Sequence, residues 1–301
     1  MEKNSLRFKL VDAFYILMMV LPIIGGIALQ VITKPASEGI SITGARIFFE
    51  IPMPIQNFLV TEAQINSIIV LLVLFFFCLY MTHGLDEHGT LRRQRLAEIG
   101  IEKVETLVLD NMGEYFCGYV PFIISILLLS AFSSLLTLFG LFPPTSDVNV
   151  VAGWSLLVFG LITYFKLKGG LLNYLKGFTE PIFLMTPMNI LGEIATPVSL
   201  AFRHYGNVMS GSVIAVLVAA ALQGLTNLIF GWLPGFLADI PFFQIGIPAV
   251  LSVYFDIFSG CMQAYIFAML TMLNISGGFP QEAFEKRLLK KQQKKIKKQL
   301  N

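Results

Sequence analysis

Long apolar stretches separated by short polar connections run through all 301 residues of the chain. Uncharged apolar stretches fall near 13 to 32, 65 to 82, 121 to 142 and 150 to 165. Two longer regions follow, from about 188 to 238 and from 240 to 280, each interrupted by one cluster of polar residues. A helix rises about 1.5 Å per residue, so about 20 apolar residues cross a bilayer. The first four stretches predict ordinary spans. The last two exceed what a perpendicular span needs and predict helices that are strongly tilted or lie partly along the membrane plane. The pattern as a whole predicts an all-α polytopic membrane protein with about six hydrophobic helical segments.

Composition agrees. The chain is 55% apolar and 13% charged, where a soluble domain carries about a quarter charged residues, and lipid accounts for the surplus apolar surface. Cys78, Cys117 and Cys261 each stand alone in or beside apolar stretches. That spacing argues against a disulfide framework or a metal site and reads them as small apolar packing residues.

The net charge of +2 hides an asymmetry. Lys3, Arg7 and Lys9 precede the first stretch, Arg92, Arg93, Arg95 and Lys103 follow the second, three cations follow the fourth, and eight lie in the tail. The opposite connections hold only Lys34 and Arg46. By the positive-inside rule both termini face the cytoplasm, which requires an even number of spans, and six satisfies it. The first stretch could instead be a cleaved secretory signal, leaving five spans. Its length of about 20 residues and the lack of a nearby small-residue cleavage pattern favour a retained span. Residues 84 to 114 mix both signs of charge and read as a helix on the cytoplasmic surface. The basic tail from Pro280 carries only Glu282 and Glu285 as counter-charges, which suits anionic lipid, with an acidic partner as the alternative.

Within this apolar frame, Arg203 cannot be there for packing. A guanidinium does not deprotonate in proteins, and burying it near a bilayer centre begins at a cost of a few kcal/mol. The bland alternative is an interfacial Arg that snorkels to water. Against it, Ser199, Arg203, Asn207 and Ser210 recur at spacings of four, four and three, one polar stripe on one helical face. In the last region Ser252, Asp256, Ser259 and Gln263 follow at four, three and four, a second stripe by the same arithmetic. A buried Asp beside a cation can exchange a proton in a useful pH range, although one that only hydrogen-bonds a neighbouring helix would look the same. Gly206, Gly211 and Gly260 accompany the stripes and leave flat places where another helix can approach.

The run PVSLAFRHYGNVMSG resembles the arginine signature of subunit a of F-type ATP synthases. PPTSDVNV at 143 to 150 and MQAYIFAMLT at 262 to 271 are similar to two further stretches of that family, in the same order. The resemblance covers roughly residues 60 to 280. It implies a hairpin of long final helices that carries ions between two offset half-channels, with Arg203 facing the ion-binding carboxylate of a rotating ring and preventing a short circuit. It also implies polar lining by Asn207, Gln263 and Ser199, and an ionisable Asp256 in the outward-facing half-channel. Ser212 stands where some members carry an acid. Asn189 stands where many carry an acid fourteen residues before the arginine, and Glu193, one turn later, is its expected substitute. His204 stands where many members have an apolar residue, and the resemblance assigns it no role.

The implied partners are the c-ring proteolipid subunits, the peripheral stalk b subunits and the lipid bilayer, in an energy-coupling membrane such as the bacterial plasma membrane. No nucleic acid, cofactor or metal is expected, and the ATP chemistry belongs to other subunits. The expected division is an extra span and outer loop over 1–60, the ion-translocating region over 61–280 and a basic cytoplasmic tail over 281–301. A secondary transporter or channel acting alone would also have broken hydrophobic regions and buried charge, but no internal duplication is present. An intramembrane enzyme is weaker: HExxH and a GxxxxGK[ST] phosphate loop are absent, and His83, His88 and His204 are scattered.

Overall fold

The computed structural model describes residues 6–33, 44–54, 57–85, 91–179, 183–230, 246, 250–251 and 253–280. The expected basic tail, Ser252 and the connection over 231–245 lie outside them.

Among the described residues six helices are long and apolar enough to cross a membrane. The first, α1 (Leu6–Thr33), is followed by a short antiparallel hairpin, β1 (Ile47–Ile51) and β2 (Phe58–Thr61), and then by α2 (Glu62–Thr82). Next come the amphipathic α3 (Arg92–Met112), α4 (Val120–Leu135), α5 (Val148–Lys168), the short α6 (Leu171–Thr179) and α7 (Thr186–Phe230). A π-helical segment, Val253–Ser259, runs into α8 (Gly260–Gly278). The 45 residues of α7 amount to about 68 Å of helix, against a hydrocarbon core about 30 Å thick, so tilt is obligatory.

Local signals fix the helix ends. The Asp147 carboxylate accepts the Asn149 N–H at 2.9 Å and caps α5. At the start of α2 the Gln64 side chain accepts the Thr61 N–H at 3.3 Å. The hairpin was not foreseen, since its residues read only as an outer loop. Its strands, IFFEI and FLVT, are rich in β-branched and aromatic residues, and prolines at 52 and 54 end the first one.

The packing is built on α4, α5, α7 and α8. Ile123, Val158, Phe165, Phe267, Met272 and Ile275 form the centre of the main buried cluster. The surface helix α3 turns Val108 and Met112 into that cluster and leaves Arg92, Arg95 and Lys103 exposed, as the mixed charge pattern predicted. Cys78, Cys117 and Cys261, read as small apolar packing residues, are exposed free thiols on the outside of the bundle and are not packed in its core.

α1 packs along α2. A Cβ at Gly26 would stand 2.7 Å from Ile69 Cδ1, so a larger residue there would have to displace the tip of the Ile69 side chain. At the other end, Asp12 receives Arg93 Nη1 at 2.8 Å and His83 Nδ1 at 2.9 Å, while Arg93 Nη2 donates to the His83 carbonyl at 2.6 Å. Phe8 stacks on His83, and the Arg93 guanidinium lies over Tyr80. These contacts tie α1, α2 and α3 into one clasp. Replacing Asp12 with Ala leaves a largely covered guanidinium without its carboxylate and is expected to destabilise the docking of α1 by about 1–3 kcal/mol, between the exposed and buried limits for such pairs. A lower thermal midpoint of the purified protein checks this, and an unchanged one removes the clasp from the stability account.

Candidate functional site

The Arg203 stripe lies on the outside of the bundle. Ser199, Arg203, Asn207 and Ser210 are all exposed along one face of α7, whereas Leu200, Ala201 and His204, on the opposite face, are buried. Pro197 sits inside α7 one turn before this region; proline removes an intrahelical hydrogen bond and eases bending at that point. Among the described residues Arg203 has no ion-pair partner. A Cβ added at Gly206 would meet nothing within 4 Å, so the surface beside the guanidinium is open and flat.

Asn207 joins the two long helices. Its Nδ2 donates to Gln263 Oε1 at 2.6 Å, and Gln263 is only 2% exposed. These two predicted site residues are brought together. Two glycines allow the close approach around them: a Cβ at Gly260 would stand 2.7 Å from Ser134 Cβ on α4, and one at Gly211 would stand 3.3 Å from Phe255.

The face arithmetic for the second stripe needs correcting. It assumed 3.6 residues per turn, but Val253–Ser259 is wound as a π-helix, in which each hydrogen bond spans five residues. The spacing of four, three and four therefore does not by itself put Asp256 and Gln263 on one face. The side chains of Asp256 and Ser212 lie outside the described residues, so their placement relative to Arg203 is left to function.

Glu193 is not beside Arg203. Ten residues along α7 separate them, about 15 Å of rise. Its carboxylate instead accepts Lys166 Nζ, from the end of α5, at 2.6 Å. The pair lines two adjoining cavities, of about 460 and about 190 Å³, which share Thr196, Gly277 and Gly278. Asn189 and Tyr174 line the larger one, so Asn189 and Glu193 do face a common space. Burial, and then the charge and hydrogen bond of Glu193, push the Tyr174 phenol above its ordinary pKa, which keeps its proton on as a donor. Lys166 and Tyr174 were missed by the sequence reading, because nothing in a lone Lys at a helix end marks a partner 27 residues away.

His204, also left without a role, is fully buried. Ser130 Oγ of α4 stands 3.4 Å from Nε2. Trp154 of α5 and Phe267 of α8 meet the ring edge to face at centroid distances of 5.9 and 5.3 Å.

A bundle of six apolar helices, with Arg203 unpaired among the described residues on an exposed face and a charged cavity at one end, is the architecture of an integral membrane protein. A sequence profile of the ATP synthase A chain family matches residues 64–276. The chain belongs to that family, and so to the membrane sector of an ATP synthase. It is 30% identical over 215 residues to ATP synthase subunit a 1 of Crocosphaera subtropica, covering 70% of this chain and 84% of that one. To the sodium ion specific ATP synthase subunit a of Propionigenium modestum it is 29% identical over 268 residues, 78% of this chain and 85% of the other. ATP synthase subunit a of Desulforamulus reducens is 34% identical over 178 residues, 56% and 60% respectively.

Proposed function

We propose that this chain is the stator of a rotary ion path, in which the exposed stripe of α7 faces the carboxylates of a c-ring and Arg203 separates two half-channels. The observation that carries the reading is a permanently charged side chain that forms no ion pair among the described residues, exposed on a mostly apolar helix beside the open surface at Gly206. Such a charge in a low-dielectric setting calls for an anion supplied from outside. A ring carboxylate arriving there is favoured in its ionised form and releases its proton. The reading makes no demand for a chemical step on this chain; ATP is handled by other subunits.

In this reading the cavity around Lys166 and Glu193 is the inner vestibule, because it opens between the basic ends of α5 and α6, on the side that the charge asymmetry assigns to the cytoplasm. Asp256 and Ser212 belong to the outer half-channel. Ser199, Asn207 and Gln263 line the contact surface between the two routes. The segment over 61–280 carries the transport, the c-ring and the b subunits are its partners, and the membrane is the bacterial plasma membrane with the C-terminus inside.

A cysteine introduced at Ser210, on the exposed stripe, is expected to form a disulfide with one introduced on the carboxylate-bearing helix of a co-purifying proteolipid. Absence of the cross-link at every ring position, with the ring present, would remove α7 from the rotor surface. The ion is H⁺ in this reading. Na⁺ is the second possibility, favoured by the name of the Propionigenium modestum relative, and sodium dependence of ATP hydrolysis separates the two.

A further inference from the structure

The interior side of α7 carries polar groups that the rotor surface does not use. His204 is fully buried, with Nε2 toward Ser130 and no partner for Nδ1. On α4, Ser130, Ser133 and Ser134 are 0, 1 and 4% exposed and share one helical face, at steps of three and one. The Ser133 and Ser134 hydroxyls have no partner either, and neither does the hydroxyl of Thr145, buried beyond the end of α4. One orphaned buried polar atom can be strain. Four of them, in the turn after α4, on one face of α4 and on the imidazole that this face meets, are the kind of groups that buried water satisfies.

The polar row lies on the same side of the bundle as the π-helical segment, since Ser134 abuts Gly260, the first residue after it. It ends one residue from Arg203. The groups facing the imidazole are Ser130 from α4, Trp154 from α5 and Phe267 from α8, with Arg203 preceding it on its own helix. Among the described residues no carboxylate pairs with it.

We propose that His204 is a proton carrier in the outer half-channel of this chain, fed by water along Ser133, Ser134 and Ser130. The proposal rests on the ion-path reading above. A proton passes from the file to Nε2 through Ser130, whose hydroxyl gives its own proton to the ring and takes one from the water behind it. The imidazolium then releases the Nδ1 proton to the next water toward the c-ring carboxylate, which leaves a neutral ring protonated at Nε2. The starting tautomer returns when Nε2 gives its proton back through Ser130 and Nδ1 takes one from the water beside it, or when the imidazole ring turns over. Only O–H and N–H bonds are made and broken, and no net charge stays behind. A histidine suits this task because its two ring nitrogens can take up a proton on one side and give one up on the other.

The test uses the intact complex in proteoliposomes, with His204→Gln and His204→Leu. Gln keeps a polar group that reaches Ser130 but cannot carry a proton; Leu keeps only the packing. Both are expected to lower proton-driven ATP synthesis about tenfold or more and to change its dependence on outer pH. Wild-type flux and pH profile in His204→Gln overturns the proposal. Should both variants fail to assemble with the ring, the water file decides the matter. With Cys78, Cys117 and Cys261 replaced by Ala, Ser133→Cys is expected to make transport sensitive to silver ions added from the outer side. Ile123→Cys, in the apolar cluster of the same helix, is not. Equal insensitivity of the two means the file is dry and the proposal fails. Arg203→Ala keeps the readings apart: if it stops transport while His204→Gln does not, only the His204 assignment is lost, and if it leaves transport intact, the ion-path reading fails first.

Discussion

Arg203→Ala is expected to abolish coupled transport while leaving the bundle assembled. The guanidinium lies on the exposed face of α7 and forms no ion pair among the described residues, so its removal breaks no internal contact of that kind. In the proposed ion path, what it removes is the fixed charge that a passing carboxylate would meet. At about 4 Å and an effective dielectric near 20 that interaction is about 4 kcal/mol, or roughly a thousandfold in the ionisation equilibrium of the partner. Without it the ring carboxylate arrives protonated and stays so. Proton-driven ATP synthesis in proteoliposomes should fall to background, with co-purification of the ring unchanged. A normal rate of synthesis would exclude this residue from the transport step. Lysine is not an adequate replacement, because a desolvated ammonium can lose its charge whereas the guanidinium cannot.

The second large effect is expected at the other end of α7. Glu193→Gln leaves the Lys166 ammonium without its carboxylate at the mouth of the two cavities. Breaking a fully buried pair costs about 3–5 kcal/mol. Here the side chains remain 16% and 27% exposed, so water screens part of the loss, and about 1–2 kcal/mol is the expected cost to stability. The functional loss should be larger than that suggests. An uncompensated cation in the vestibule repels every cation that must pass, and a potential of about 1.4 kcal/mol already slows passage about tenfold. The double variant Lys166→Met, Glu193→Gln distinguishes repulsion from loss of a carboxylate. If repulsion is the cause, ATP-driven pumping recovers in the double variant. If the carboxylate itself relays the ion, pumping stays low. Unimpaired pumping in Glu193→Gln would mean that ions take a route other than this cavity.

Much of the fold was legible because lipid imposes a simple rule: backbone polar groups must be satisfied within each span, so apolar runs of sufficient length are helices. α1, α2, α4 and α5 follow from that rule, and the excess length of α7 follows from the same arithmetic. The amphipathic α3 was legible from mixed charge between two spans. The β1–β2 hairpin was not, since two strands of five and four residues are too short to stand out from an irregular connection. At the site, the stripe through Ser199, Arg203 and Asn207 was legible because α7 is regularly wound there. The pairing of Glu193 with Lys166 and the burial of His204 were not, because both depend on which helices become neighbours, and helical period alone says nothing about that.

The π-helical winding of Val253–Ser259 decides how the chain can change length. Such a segment takes in more residues per turn than an α-helix, and it precedes Gly260, where Ser134 leaves no room for adjustment. One residue fewer on the N-terminal side of Gly260 could be taken up by rewinding the segment as ordinary helix, with Gln263 still meeting Asn207. The same deletion between Gly260 and Gln263 would swing the amide about 100° away from its partner. Length variation is thereby tolerated at the entrance and forbidden a single turn further in.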